Sequence, residues 1–250
     1  MATIRVYHRP TTLEAALDLL ANPDAEAIPL GGGTELNGLP GQTPEEVVDL
    51  QALGLSNISG DGATLEVGAM ATLRDLMDYE RAPRLLRDLA RREAPNTIRN
   101  AATLGGTVAT ADPASGLVAG LLAYSASVVI ARATGSDEIP LSDLVDDGGS
   151  LAGGIITSVR VAVGGDGAFE ATSRTPVDTP IVLVAGHRTD DGVLRLAATG
   201  VASRPVVIDP ESIQDLDPPP DFRGSVEYRR HLARVLTARV VGHLAGGNRK

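Results

Sequence analysis

The chain has no cysteine. Disulfides, thiolate zinc sites, iron–sulfur clusters ligated by this chain and a cysteine nucleophile are therefore excluded. Lysine is nearly missing as well: Lys250 is the only one, 21 arginines carry the remaining basic charge, and no basic residue stands between Arg9 and Arg74. With a formal net charge of −10, the chain lacks the clustered cations that nucleic-acid phosphates demand, so nucleic acid is not an expected partner. The N-terminal residues Met1 to Tyr7 contain no long apolar core of a secretory signal, which predicts a cytoplasmic protein. The uncharged stretch Gly116 to Ala131 is shorter than the roughly 20 residues of a spanning helix and is interrupted by Gly120, Ser125 and Ser127, so no membrane partner is expected. It reads instead as a buried helix followed by a strand.

What is present is glycine in two strings. One is Leu30-Gly31-Gly32-Gly33-Thr34-Glu35-Leu36; the other is Arg99-Asn100-Ala101-Ala102-Thr103-Leu104-Gly105-Gly106-Thr107, running on to Asp112-Pro113-Ala114-Ser115. Glycine lets backbone amides approach and face an anion where a side chain would intrude. Each string follows a segment of regular structure, and together they read as loops that cradle a phosphate-bearing cofactor, with Thr34, Thr103 and Thr107 as further donors or as residues serving their own backbone. Neither string has the Gly-x-Gly-x-x-Gly or Gly-x-x-x-x-Gly-Lys-Ser/Thr pattern, so the Rossmann and P-loop readings are poor. An anion at the first string would meet amides before any cationic side chain.

The 250 residues, 43% hydrophobic, suffice for one large domain or two modest ones. Thr11 and Glu14 have capping-box spacing ahead of a helix bearing Leu13, Ala16, Leu17 and Leu20, which Asn22-Pro23 ends; strands are expected at 27–30 and 46–50. Further on, a strand is expected at 64–70, helices at 72–79 and 83–93, a helix at 113–124, and strands at 127–132 and 155–163. The last third changes character: strands at 168–174, 181–187 and 193–199, the latter two joined by a turn at Thr189 to Gly192, predict a small antiparallel sheet. A proline-rich connector, Asp217 to Asp221, leads to a helix from Ser225 to about Leu244 with an apolar stripe that includes Val226, Leu232, Val235, Leu236, Val240 and Leu244. His8, His187, His231 and His243 have no metal-ligand spacing, Asp112 and Ser115 suit a helix cap, Tyr124 suits the core, and Arg99 suits an ion pair better than a phosphate contact.

In its motifs the chain resembles the FAD-binding medium subunit, or flavin domain, of the molybdenum hydroxylases, the xanthine dehydrogenase and aerobic carbon monoxide dehydrogenase group. The resemblance runs through Tyr7-His8-Arg9-Pro10-Thr11-Thr12-Leu13-Glu14-Ala15-Ala16, Gly32-Gly33-Thr34-Glu35-Leu36, Ile98-Arg99-Asn100-Ala101-Ala102-Thr103-Leu104-Gly105-Gly106, and Asp221-Phe222-Arg223-Gly224-Ser225-Val226-Glu227-Tyr228-Arg229-Arg230-His231-Leu232. It implies an α+β protein: a two-subdomain α/β flavin-binding fold of the PCMH-like FAD-binding type over residues 1–164 (subdomains about 1–55 and 56–164), then a small antiparallel-sheet-plus-helix C-terminal domain over 165–250. It implies FAD as cofactor, bound by Leu30, Gly31, Gly32, Gly33, Thr34, Glu35, Leu36, Asn100, Thr103, Leu104, Gly105, Gly106, Thr107, Asp112 and Gly116. No residue of this chain is expected to be catalytic and none to bind metal. The partners implied are a large subunit with a molybdenum cofactor, which oxidises the substrate, and a small 2Fe–2S subunit, with the flavin passing electrons to an external acceptor.

The sequence also departs from that pattern. Thr107 stands where Asn or Asp is usual, Gly116 where an Asp commonly helps hold the adenosine end, and Glu170 where a Lys often lies near the flavin. Asn37-Gly38-Leu39-Pro40-Gly41 replaces a basic segment, and the stretch before the closing motif is reduced to residues 210–220. These departures keep open a second reading, a scaffold subunit of such a complex that has lost FAD.

Overall fold

A computed structural model describes residues 4–22, 25–36, 44–151, 153–175 and 178–246. The expectations for Pro23 and for Asn37 to Gly41 lie outside the described residues. The N-terminal unit comprises β1 (Val6–His8), α1 (Leu13–Leu20), β2 (Ala27–Leu30) and β3 (Glu46–Asp49), with β1 and β2 both parallel to the central β3. Helix α1 is capped by Thr12, which accepts the Ala15 amide, and not by the expected Thr11–Glu14 box; Glu14 falls in the first turn, where it still favours the helix dipole. Ala16 and Leu17 are the face it buries.

The middle of the chain adds β4 (Ile58–Gly60), β5 (Thr64–Gly68), α2 (Leu73–Asp78), α3 (Arg84–Glu93), α4 (Asn96–Arg99), α5 (Leu104–Thr110), α6 (Gly116–Ala123), β6 (Ser127–Arg132), β7 (Gly135–Pro140), α7 (Leu141–Asp146) and β8 (Ile155–Ala162). Its five strands form one antiparallel sheet in the order β4-β5-β8-β6-β7. Thr72 and Asp75 close the expected capping box on α2, each side chain accepting the other's amide. Helix α3 buries Leu85, Leu86, Leu89 and Ala90 and turns Arg84, Arg91 and Arg92 outward, the amphipathic pattern its sequence carries. Helix α6 is buried on every side and starts at Gly116, three residues later than Pro113, because Asp112 and Ser115 shape the turn before it. The hairpin β6–β7 was not anticipated: β7 is almost wholly exposed, so it shows no alternation of apolar and polar residues.

The last unit is the expected antiparallel sheet, β9 (Asp166–Thr172), β10 (Val182–Arg188), β11 (Leu194–Thr199) and β12 (Val206–Val207), in the order β12-β11-β10-β9, followed by α8 (Val226–Gly246). Strand β10 is buried on both faces: Leu183 and Ala185 join the core around α6, while Val182 and Val184 pack with α8 residues Leu232, Leu236 and Val240. The C-terminal sheet is thereby fused to the middle unit by a shared core. Among the described residues, no helix is long and apolar enough to cross a membrane.

The closing motif is held by a buried cation. Arg229 is 2% exposed; its Nη1 donates to the carbonyls of Ile181 at 2.7 Å and Gly200 at 3.0 Å, and its Nη2 to Asp221 Oδ1 at 2.6 Å. Burial opposes ionisation of Asp221, but hydrogen bonds from Arg229 and Arg223 hold its carboxyl far below the usual carboxylate range. Removing Arg229 strands two carbonyls and a carboxylate, so Arg229→Ala should lower unfolding stability by about 3–5 kcal/mol in denaturant titration. The depressed carboxyl stabilises the fold above its unfolded pKa of about 4 and loses that contribution as pH falls toward the folded value. Thermal melts of the wild type should therefore drop on acidification below about pH 4, and Asp221→Asn should flatten that drop.

Candidate cofactor site

The first glycine string leaves β2 at Leu30, which is paired in the sheet with Asp49, and turns at Gly33, where φ is +69°. The second lies directly beside it. A Cβ on Gly32 would run into the carbonyl of Ala101, and one on Gly31 would sit 2.8 Å from Thr103 Oγ1. Only glycine at position 32 lets the two backbones approach so closely, and glycine at 31 leaves room for the Thr103 hydroxyl.

The second string is not the loop expected of it. Thr103 caps α5, its hydroxyl accepting the Gly106 amide at 3.2 Å, so Gly105 and Gly106 belong to a first helical turn. Its amides are already spent: Leu104 donates to the Ala71 carbonyl at 2.9 Å, Gly105 to Ala69 at 2.8 Å, and Thr107 to Thr103 at 3.0 Å. The Thr107 hydroxyl also donates to the Thr103 carbonyl, at 3.1 Å. Gly105 is a packing glycine, since a Cβ there would meet the Ala69 Cβ at 2.7 Å. By contrast, the amides of residues 31–36 make no hydrogen bond to another described residue. Among the described residues, then, free amides belong to the first string, and the second forms a wall beside it.

Between them lies a cleft of about 420 Å³. Of the residues expected to bind a cofactor, Gly31, Gly32, Gly33, Thr34, Glu35, Leu36, Thr103, Gly106, Thr107 and Asp112 line it. Leu30, Asn100, Leu104, Gly105 and Gly116 do not: Leu30 is in β2, Asn100 ends α4, Leu104 is core, and Gly116 is buried where a Cβ would touch Leu183 at 3.0 Å and Leu89 at 3.5 Å. Reading the sequence missed Glu93, Ala94 and Ile98 on one side of the cleft and Thr179 on the other. No local pattern marks them, because α3, α4 and the segment before β10 meet here only in the tertiary fold.

The cleft carries no cation. Glu35, Glu93 and Asp112 are its charged residues, and residues 37–43, which follow the first string, contain no Lys or Arg. Arg99, a candidate for a phosphate contact, instead donates to the carbonyls of Arg91 at 2.7 Å and Ala94 at 2.6 Å and ties down the end of α3. Tyr124 is core, stacked on His187 at 3.8 Å, and burial pushes its phenol up to about 12. Glu170 faces α8, near Arg239 at 3.8 Å and His243 at 3.6 Å, and does not line the cleft. No group of metal-ligating side chains occurs among the described residues. The donor set therefore suits an anion held by backbone dipoles.

Residues 2–162 match the family described as the FAD binding domain in molybdopterin dehydrogenase. The chain belongs to that family. This FAD-binding protein is 28% identical to the uncharacterized protein YgfM of Escherichia coli over 94% of each chain, and 27% identical to the carbon monoxide dehydrogenase medium chain of Afipia carboxidovorans, again over 94% of each. Its fold superposes on a chain of reconstituted CO dehydrogenase from Oligotropha carboxidovorans with a TM-score of 0.85 and 26% identity, covering 98% of both. It is an oxidoreductase component with FAD as cofactor, and the residues present fit that group: amides without a partner among the described residues and a close approach that a Cβ would fill.

Gly32→Ala tests the meeting of the two strings. The added methyl forces the Ala101 carbonyl away, which should lower stability by about 1–3 kcal/mol and weaken FAD binding in a fluorescence titration. Gly62→Ala, where φ is +94° and a Cβ would meet nothing, strains only its own turn and is the control for a stability loss that leaves FAD binding intact.

Proposed function

We propose that the chain is the flavin station of a molybdenum-hydroxylase-type complex in the cytoplasm, taking electrons from iron–sulfur clusters of a small subunit and delivering them to an external acceptor, while a large molybdenum-cofactor subunit oxidises the substrate. The observation that carries this reading is the run of amides at residues 31–36 that find no partner among the described residues, in a cleft whose other wall is built by Thr103 and α5. The likeness to medium chains over nearly the whole length supports the division into subunits. So does the lack of cysteine, which leaves any cluster to a partner chain.

Bound here, FAD would supply conversion between single-electron and two-electron transfer. The chain's own residues would bind and orient it. The amides of Gly31 to Leu36 would donate to the pyrophosphate oxygens, and Gly31 and Gly32 would keep that backbone close to the second string. Thr103, Gly106, Thr107 and Asp112 would shape the opposite wall, and Leu30, Asn100, Leu104, Gly105 and Gly116 would act by placing those segments. Residues 1–164 would form the FAD-binding domain, with subdomains about 1–55 and 56–164, and 165–250 the C-terminal domain, which contributes Thr179 to the cleft rim.

The complex purified with its partners should show flavin absorption and release FAD on denaturation; a preparation without flavin bands whose FAD-free chain also fails to bind added FAD would establish the scaffold reading instead. Because amides rather than exposed cations hold the anion, FAD affinity should fall by less than about threefold between low and physiological salt. A steep salt dependence would contradict an amide-based site.

A further inference from the structure

Among the carboxyls of the cleft, Glu93 is the one the structure fixes in place by hydrogen bonds to another helix, and the reading above gives it no part. Glu93 is the last residue of α3, yet its side chain reaches the start of α6: Oε2 accepts the Leu117 amide at 3.0 Å, and Oε1 accepts the hydroxyl of Ser115. That hydroxyl accepts the Val118 amide at 3.1 Å, so α6 already has an N-cap of its own. Glu93 is thus tethered to the start of α6 by the Ser115 hydroxyl and by the Leu117 and Gly116 amides. It lines both the glycine cleft and the adjoining cleft of about 490 Å³ beside α3 and α4.

The charges around it leave it without a counter-ion. From the turn before α6, Asp112 adds repulsion. Asp178, which precedes β10, shares the adjoining cleft, and Glu35 shares the first. The nearby cations are engaged elsewhere: Arg91 with Asp88 at 3.1 Å, Arg92 over the Phe169 ring at 5.5 Å, and Arg99 with two carbonyls. Burial, reinforced by Asp112, raises the pKa of Glu93. The Ser115 hydroxyl and the Leu117 and Gly116 amides donate to its two oxygens, which leaves one of the roughly four acceptor directions of the carboxylate for a further donor.

We propose that Glu93 is a positioning residue for FAD, its tethered carboxylate accepting a hydrogen bond from a donor of the bound cofactor, either a sugar or ribityl hydroxyl or a ring N–H. The proposal rests on the reading that FAD occupies the cleft. It accounts for the placement of a carboxyl in a groove that otherwise binds an anion: the donor it meets is a neutral polar group, and the pyrophosphate is held at the other wall.

The test titrates FAD-free wild type, Glu93→Gln and Ser115→Ala with FAD, FMN and ADP by calorimetry. Glu93→Gln should weaken FAD by at least about tenfold and Ser115→Ala by less than about threefold; whichever of FMN or ADP shares the loss locates the donor on the isoalloxazine or the adenosine half. Unchanged FAD affinity in Glu93→Gln, or an equal loss in Ser115→Ala, overturns the proposal, the second result reducing Glu93 to a helix cap. Failure of the wild type to bind FAD would overturn the reading of the cleft instead. If Glu93→Gln does not fold, the wild type carries the test: FAD binding on the acid side of neutrality, measured in two buffers of different ionisation heat, should release protons as the donor draws the carboxyl into its ionised form. Binding with no proton release overturns the assignment.

Discussion

The approach of one backbone to another at Gly31–Gly32 and Ala101–Thr103 is the constraint on which the site depends. It joins the parallel N-terminal unit to the antiparallel middle sheet and converts two glycine strings distant in sequence into one cleft. The two strings share a composition but not a task. In the second, every amide from Leu104 to Thr107 is bonded within the protein, which makes that segment rigid and unable to donate. In the first, the amides have no partner among the described residues, and free amides beside a sheet end form an anion site only while nothing fills the space before them. A methyl group at position 32 would collide with the Ala101 carbonyl and force the two strings apart.

Charge then decides how the site works. The cleft holds three acidic residues and no basic one, in a chain of net charge −10. A dianion entering it is favoured by oriented dipoles at short range and opposed by the surrounding field. The arginines that could have reversed that balance are used to build the molecule: Arg99 finishes α3, and Arg229, fully buried, ties Asp221 to the carbonyls of β10 and β11 neighbours. Glu93 extends the same economy, linking the end of α3 to the start of α6 while presenting a carboxyl to the cleft.

Much of this was legible before any fold was known. The capping box at Thr72–Asp75, the leucine face of α3, the buried α6 and the strands of the C-terminal sheet follow from caps and periodicity, which act over a few residues. The first string was legible because glycine runs have few reasons to exist. The role of the second was not: its amides are taken by Ala69 and Ala71, partners more than thirty residues away, so the local pattern of a loop concealed a helix start. Glu93 and Arg229 were hidden for a related reason. Each looks like a solvated charge in its own helix, and only tertiary contacts bury its charged end. Conversely, the doubt attached to Glu170 weakens once β9 is placed, since that side chain faces α8.

The central claim, that the first string alone supplies the donors for the cofactor's pyrophosphate, is tested most directly by amide hydrogen exchange with and without FAD. The amides of residues 31–36 should exchange fast in the free protein and become protected on binding, while those of Leu104 to Thr107 should be protected in both states. Protection that appears on FAD binding at residues 104–107 and leaves 31–36 unchanged would contradict it.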